Sequence, residues 1–96
     1  MEKFVMIIYN EAIDNEVMEL IEEKNYSYTK IIGVFGKGKI SGFHLGDEIW
    51  PARNNILFVG CTTKESEDLL LKIKSLRLKL AKEGLKAFVF RIENFT

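Results

Sequence analysis

Between Gly33 and Asn55 the chain reads G-V-F-G-K-G-K-I-S-G-F-H-L-G-D-E-I-W-P-A-R-N-N, and the side chains most able to do chemistry are gathered there. Gly36, Lys37, Gly38, Lys39 and Gly42 combine backbone amides that a ligand can approach closely with two ammonium groups, which suits an anion such as a phosphate. The same residue types also build a solvated hairpin tip. Gly33-x-x-x-x-Gly38-Lys39 comes close to a P-loop, but Ile40 stands where a Mg²⁺-binding Ser or Thr is needed. His44, Asp47 and Glu48 are a second group. An imidazole and two carboxylates within five residues could ligate a transition metal if symmetry mates completed the shell; an ordinary polar loop has the same look. Trp50, beside the only proline, Pro51, reads as an anchor for the loop or a contact for a partner.

Catalysis finds little support in these residues. The single His has no Cys close by in sequence, and no pair of carboxylates stands out as acid and base. The expectation is a protein that binds and does not turn over. Cys61 is the only cysteine and lies in a Phe58-Val59-Gly60-Cys61-Thr62 strand end, where a packed thiol is expected.

The elements that must position this segment follow from periodicity. Residues 4–9 (F-V-M-I-I-Y) form a continuous apolar run, a strand buried on both faces. Asn10 to Asp14 turn into a helix carrying Ile13, Val17, Leu20 and Ile21, which Asn25 should stop. Residues 27–36 are β-branched and aromatic, hence a strand. Asn54-Asn55 reads as a turn before a third strand over 56–61. Thr62 with Glu65 makes a capping box. Leu69, Ile73, Leu76 and Leu80 are the core stripe of the second helix, which Gly84 should terminate. Residues 86–92 complete the set.

The order β-α-β-β-α-β specifies an α+β ferredoxin-like plait, an antiparallel sheet with both helices on one face. An acidic first helix (Glu16, Glu19, Glu22, Glu23) would lie beside a basic end of the second (Lys72, Lys74, Arg77, Lys79, Lys82). Strands one, three and four are apolar at nearly every position, yet helices can cover only one face. The other face therefore calls for a second subunit, packed sheet against sheet. Leu71 and Leu78 fall opposite the core stripe, seven residues apart, as tolerated surface leucines or a docking stripe for a partner.

Ninety-six residues make one domain, 1–96, with fourteen basic and fourteen acidic side chains and no net charge. That balance argues against a general nucleic-acid binder. No leader is recognisable, and no run is long enough to span a membrane. The expected location is cytoplasmic.

Two short motifs then resemble a known family. Val34-Phe35-Gly36-Lys37-Gly38-Lys39 with Gly42 and His44 is similar to the G-F-G-R-Q-K-G-H run that leads into the T-loop of PII nitrogen-regulatory proteins. Gly84-Leu85-Lys86-Ala87-Phe88-Val89-Phe90 is similar to their G-K-I-F-V-x-P strand. The chain thus looks like a member of the PII-like superfamily, nearest its short bacterial members, some encoded beside efflux transporters. The resemblance implies a non-enzymatic, trimeric signalling protein with its sheets facing inward. It implies an adenine nucleotide bound between subunits and a partner protein, such as a membrane transporter, regulated through the loop. By position it nominates Gly36, Lys37, Gly38, Lys39, Gly42 and Lys86 for ligand contacts. The trimeric divalent-ion tolerance protein CutA shares the fold, which implies the alternative of a divalent metal at His44, Asp47 and Glu48.

Overall fold

Four strands and two helices form in the expected order: β1 (Lys3–Asn10), α1 (Asp14–Glu23), β2 (Thr29–Phe35), β3 (Arg53–Cys61), α2 (Thr63–Lys79) and β4 (Leu85–Arg91). A 3-10 turn, Glu11–Ile13, leads into α1. The computed structural model describes residues 1–36, 53–80 and 84–96. The sheet order is β2-β3-β1-β4, with every neighbouring pair antiparallel. This is the plait that the sequence pattern calls for.

Strand alternation divides the apolar side chains between two faces. Val5, Ile7 and Tyr9 of β1, with Leu57, Val59 and Cys61 of β3, point to the helices and are buried. Val17 and Ile21 of α1 and Leu69 and Ile73 of α2 close this single core, with Leu76 and Leu80 packed at its margin. Burial raises the pKa of the Cys61 thiol, followed by the carboxylates of Glu65 and Glu2, so the cysteine is the packed, inert thiol expected. Lys72 of α2 reaches Glu23 of α1 at 2.7 Å, joining the acidic helix to the basic one.

Local signals set most boundaries. Asn25 has φ 54, and its N–H and that of Tyr26 donate to the carbonyls of Glu22 and Ile21. That is a Schellman stop for α1, made by the asparagine expected to end it. The capping box of α2 is complete: the Thr62 hydroxyl accepts from the Glu65 N–H at 3.1 Å, and the Glu65 carboxylate accepts from the Thr62 N–H at 2.8 Å. Thr62→Ala should therefore lower stability by about 1 kcal/mol. The check is a melting midpoint some ~4–8 °C below the parent.

Gly84 does not end the second helix. The last helical residue is Lys79, five positions earlier, and Gly84 instead accepts the Asn10 N–H at 2.9 Å at the head of β4. The core stripe runs out first, since nothing beyond Ile73 in α2 is fully buried.

Candidate functional site

The β2–β3 connection leaves the sheet at the end where the β1–α1 turn and the α2–β4 connection also lie, because β1 and β2 run toward that end and β3 and β4 away from it. Its two legs are paired: Val34 stands opposite Asn54 and Phe35 opposite Arg53. The P-loop-like run begins at Gly33 inside β2, and its Lys37, Gly38 and Lys39 lie outside the described residues. The Arg53 guanidinium lies 5.7 Å from the centroid of the Phe35 ring, a cation–π contact across the mouth of the hairpin.

Asn54 and Asn55 do not form a turn. Both are in β3, and Asn55 is 5% exposed. Asn55 shares the helix-facing side with Leu57, Val59 and Cys61, so it must find partners there. Its amide nitrogen donates to Asp14 Oδ1 at 3.1 Å, and its Oδ1 accepts the Gly33 N–H at 3.3 Å. Gly33 belongs to a β-bulge: from Ile31 to Val34 β2 advances three residues while β3 advances two, and Gly33 takes φ 71. Glycine is used here for that left-handed backbone, with the Asn55 side chain replacing a lost ladder bond. The bulge shifts the alternation of β2, so Phe35 joins Arg53 on the helix-facing side.

Asp14 is the hub of this root. Its Oδ1 accepts from the Tyr9 hydroxyl at 2.6 Å and pairs with Lys30 Nζ at 2.7 Å, besides the bond from Asn55. Burial opposes ionisation of Asp14, but the bonds from Lys30, Tyr9 and Asn55 outweigh it and hold the carboxyl below its usual range. The Tyr9 hydroxyl is pushed up, first by burial and then by its bond to the carboxylate, so it stays a proton donor. Tyr9, Asp14, Lys30, Gly33 and Asn55 thus tie β1, α1, β2 and β3 together beneath the loop. Sequence reading passed over all five as site residues. The available signal was period-two spacing, which puts Asn55 in line with Leu57 and Val59 on a buried face.

The nominated ligand residues divide into two groups. Lys37, Gly38, Lys39 and Gly42, the metal candidates His44, Asp47 and Glu48, and Trp50 lie outside the described residues. Gly36 and Lys86 are described, and both are exposed. Gly36 follows the end of β2, where a Cβ would sit 2.6 Å from Asn54 Nδ2, so a larger residue would displace the end of the Asn54 side chain. Lys86 lies on β4, opposite Ile8, facing away from the helices. Since β2 and β4 are the two edges of the sheet, three strand spacings, about 14 Å, separate them within one chain. One copy cannot close both residues on a single small ligand.

The sheet face that carries Lys86 is apolar. Phe4, Met6 and Ile8 of β1, Ile56 and Phe58 of β3, and Phe88 and Phe90 of β4 share it by register. Phe4 and Phe58 stack with centroids 5.5 Å apart and planes at 18°. Among the described residues no helix or loop covers them, and Phe88 and Phe90 are exposed. The uncovered apolar face is what the strand composition leads one to expect.

No protein-family model matches the chain, and no curated protein matches it. Its fold does have solved counterparts. A protein of unknown function from Pediococcus pentosaceus superposes with a TM-score of 0.68 at 15% identity, covering 99% of this chain and 95% of the other. CPII from Thiomonas intermedia, in a structure with ADP, AMP and acetate, gives a TM-score of 0.67 at 15% identity over 97% of this chain and 89% of CPII. CPII with ADP and bicarbonate gives 0.63 at 22% identity, covering 95% and 85%. CPII is described as a nitrogen regulatory PII-like protein.

Proposed function

We propose that this chain, whose fold is that of PII-like proteins, is a non-enzymatic regulator that binds a small anionic ligand between subunits and passes its state to a partner protein. The observation that carries the reading is the placement of Gly36 and Lys86 at opposite sheet edges, beside an uncovered apolar face. A homotrimer packed on that face would bring the loop root of one copy to the β4 edge of the next. The ligand would then meet the glycine amides and lysines of 36–42 from one subunit and Lys86 from its neighbour. CPII, whose structures hold ADP, AMP and bicarbonate or acetate, supports an adenine nucleotide as the ligand. The Asp14 hub gives the loop a fixed root, so that a ligand-dependent change above it is presented in one direction. Among the described residues no helix is long and apolar enough to cross a membrane; a cytoplasmic setting, with a membrane transporter as the regulated partner, completes the proposal.

Thermal shift with ADP, AMP, bicarbonate, Zn²⁺ and Cu²⁺ tests it. ADP at about a hundred times its Kd should stabilise the protein by roughly 2.7 kcal/mol, and Lys86→Ala should abolish most of that gain. No response to any nucleotide or anion, with a response to Zn²⁺ or Cu²⁺ lost in His44→Ala, would replace this reading with a metal-responsive one.

A further inference from the structure

The helix layer, on the opposite side of the sheet from the uncovered face, carries a feature that ligand binding does not use. A groove of about 320 Å³ lies between α1 and α2, with Leu20, Leu71 and Leu76 as its apolar lining and Glu23, Lys72 and Lys79 as its charged residues, Glu23 being taken up by Lys72. Leu71 is 65% exposed and Leu78, two turns further on, 83%. Leu71, Ser75 and Leu78 follow an i, i+4, i+7 row, turned away from Leu69 and Ile73. After Asp68 every charge in α2 is positive. Lys72 is neutralised by Glu23 at 2.7 Å and Asp68 at 3.6 Å. Lys74, Arg77 and Lys79 make no ion pair among the described residues, so three cations surround the outer leucines.

We infer that this groove and the Leu71–Leu78 row dock an acidic amphipathic helix of a partner protein. A concave trough with an apolar floor fits the ridge of a helix, whose own i, i+3, i+4 and i+7 leucines would enter between Leu20, Leu71 and Leu76. The α2 cations Lys74, Arg77 and Lys79, without an ion-pair partner among the described residues, favour carboxylates beside those leucines. A flat anionic membrane fits less well, because only two leucines, Leu71 and Leu78, project from this helix face. The inference rests on the regulatory reading for its purpose, since it names the chemistry of the partner. Its contact does not involve the anionic-ligand residues.

The experiment uses the full chain and a fluorescein-labelled sixteen-residue helical peptide with leucines at i, i+4, i+7 and i+11 and glutamates flanking them. Fluorescence anisotropy should show saturable binding that weakens at least tenfold between low and high salt. Leu71→Ser with Leu78→Ser, and separately Lys74→Glu with Lys79→Glu, should each weaken it tenfold or more. All four positions are exposed, and unchanged circular dichroism would verify folding. A peptide of the same composition with dispersed leucines should not bind. Equal binding of that control, indifference to both double variants, or preference for phosphatidylglycerol vesicles over the peptide would each overturn the inference. The ADP thermal shift measured on the parent chain separates the two readings: no peptide binding with the shift intact defeats docking alone, and the reverse defeats ligand binding alone.

Discussion

In the proposed sheet-to-sheet assembly, Phe58→Glu is expected to leave only single chains. Phe58 sits on β3, an inner strand, in the middle of the uncovered face, stacked on Phe4 and flanked on β1 by Met6, its register partner. Packing a second subunit over this position would bury the new carboxylate without a partner, a cost of several kcal/mol for each copy. The helix-facing core of Val5, Ile7, Leu57, Val59, Leu69 and Ile73 is untouched, so the chain itself should still fold. Sedimentation velocity should show the parent at a multiple of the single-chain mass and the variant at the single-chain mass. The melting midpoint of the parent should rise with protein concentration, and that of the variant should not. A parent that sediments as a monomer, or a variant that keeps the parent's assembly, would defeat the sheet-to-sheet contact and the intersubunit ligand site that depends on it.

Asp14→Ala should be the most damaging small substitution among the site residues. It removes the acceptor used by the Tyr9 hydroxyl, the Asn55 amide and Lys30 at once. Tyr9 is 1% exposed and Asn55 5%, so both donors lose their partner at a largely shielded position. Two stranded buried donors, at ~1–3 kcal/mol each, put the loss at about 3 kcal/mol. For a domain of this size the melting midpoint should fall by roughly 15 °C. Asp14→Asn keeps the shape and one acceptor oxygen and should cost about a third as much. Because the amide no longer fixes Gly33, the ADP response should weaken in Asp14→Ala even where the protein remains folded.

The same hub sets the pH dependence. The Asp14 carboxyl is depressed in the folded chain, so it binds fewer protons than its unfolded counterpart, whose pKa is near ~4. Its contribution is complete above that value and is lost as pH falls through the folded pKa. Tyr9 is shifted upward, so its contribution is complete below ~10 and is lost as pH rises beyond it. Urea midpoints measured against pH should fall less steeply below pH 4 for Asp14→Asn, and less steeply above pH 10 for Tyr9→Phe, than for the parent.

What the sequence determined by itself was every feature whose cause lies within a few residues. Apolar periodicity located the strands and helices, Thr62 and Glu65 capped α2, and Asn25 stopped α1. The run of apolar residues in β1 and β3 also announced an uncovered sheet face, since a strand's two sides alternate whatever lies above them. Features that depend on pairing were decided only by the tertiary structure. An Asn-Asn pair before a strand has the same local signature as a turn. Register with β1 and β2 is what buries Asn55 and carries it to Asp14, forty-one positions away in the chain. A glycine in a glycine-rich stretch resembles a ligand contact until a one-residue mismatch between β2 and β3 makes Gly33 a bulge. Gly36 and Lys86 could be nominated for one site from their motifs, but only the strand order β2-β3-β1-β4 puts them at opposite edges. Hydrogen bonding between distant strands sets that order, and the order makes a shared ligand a matter for two subunits.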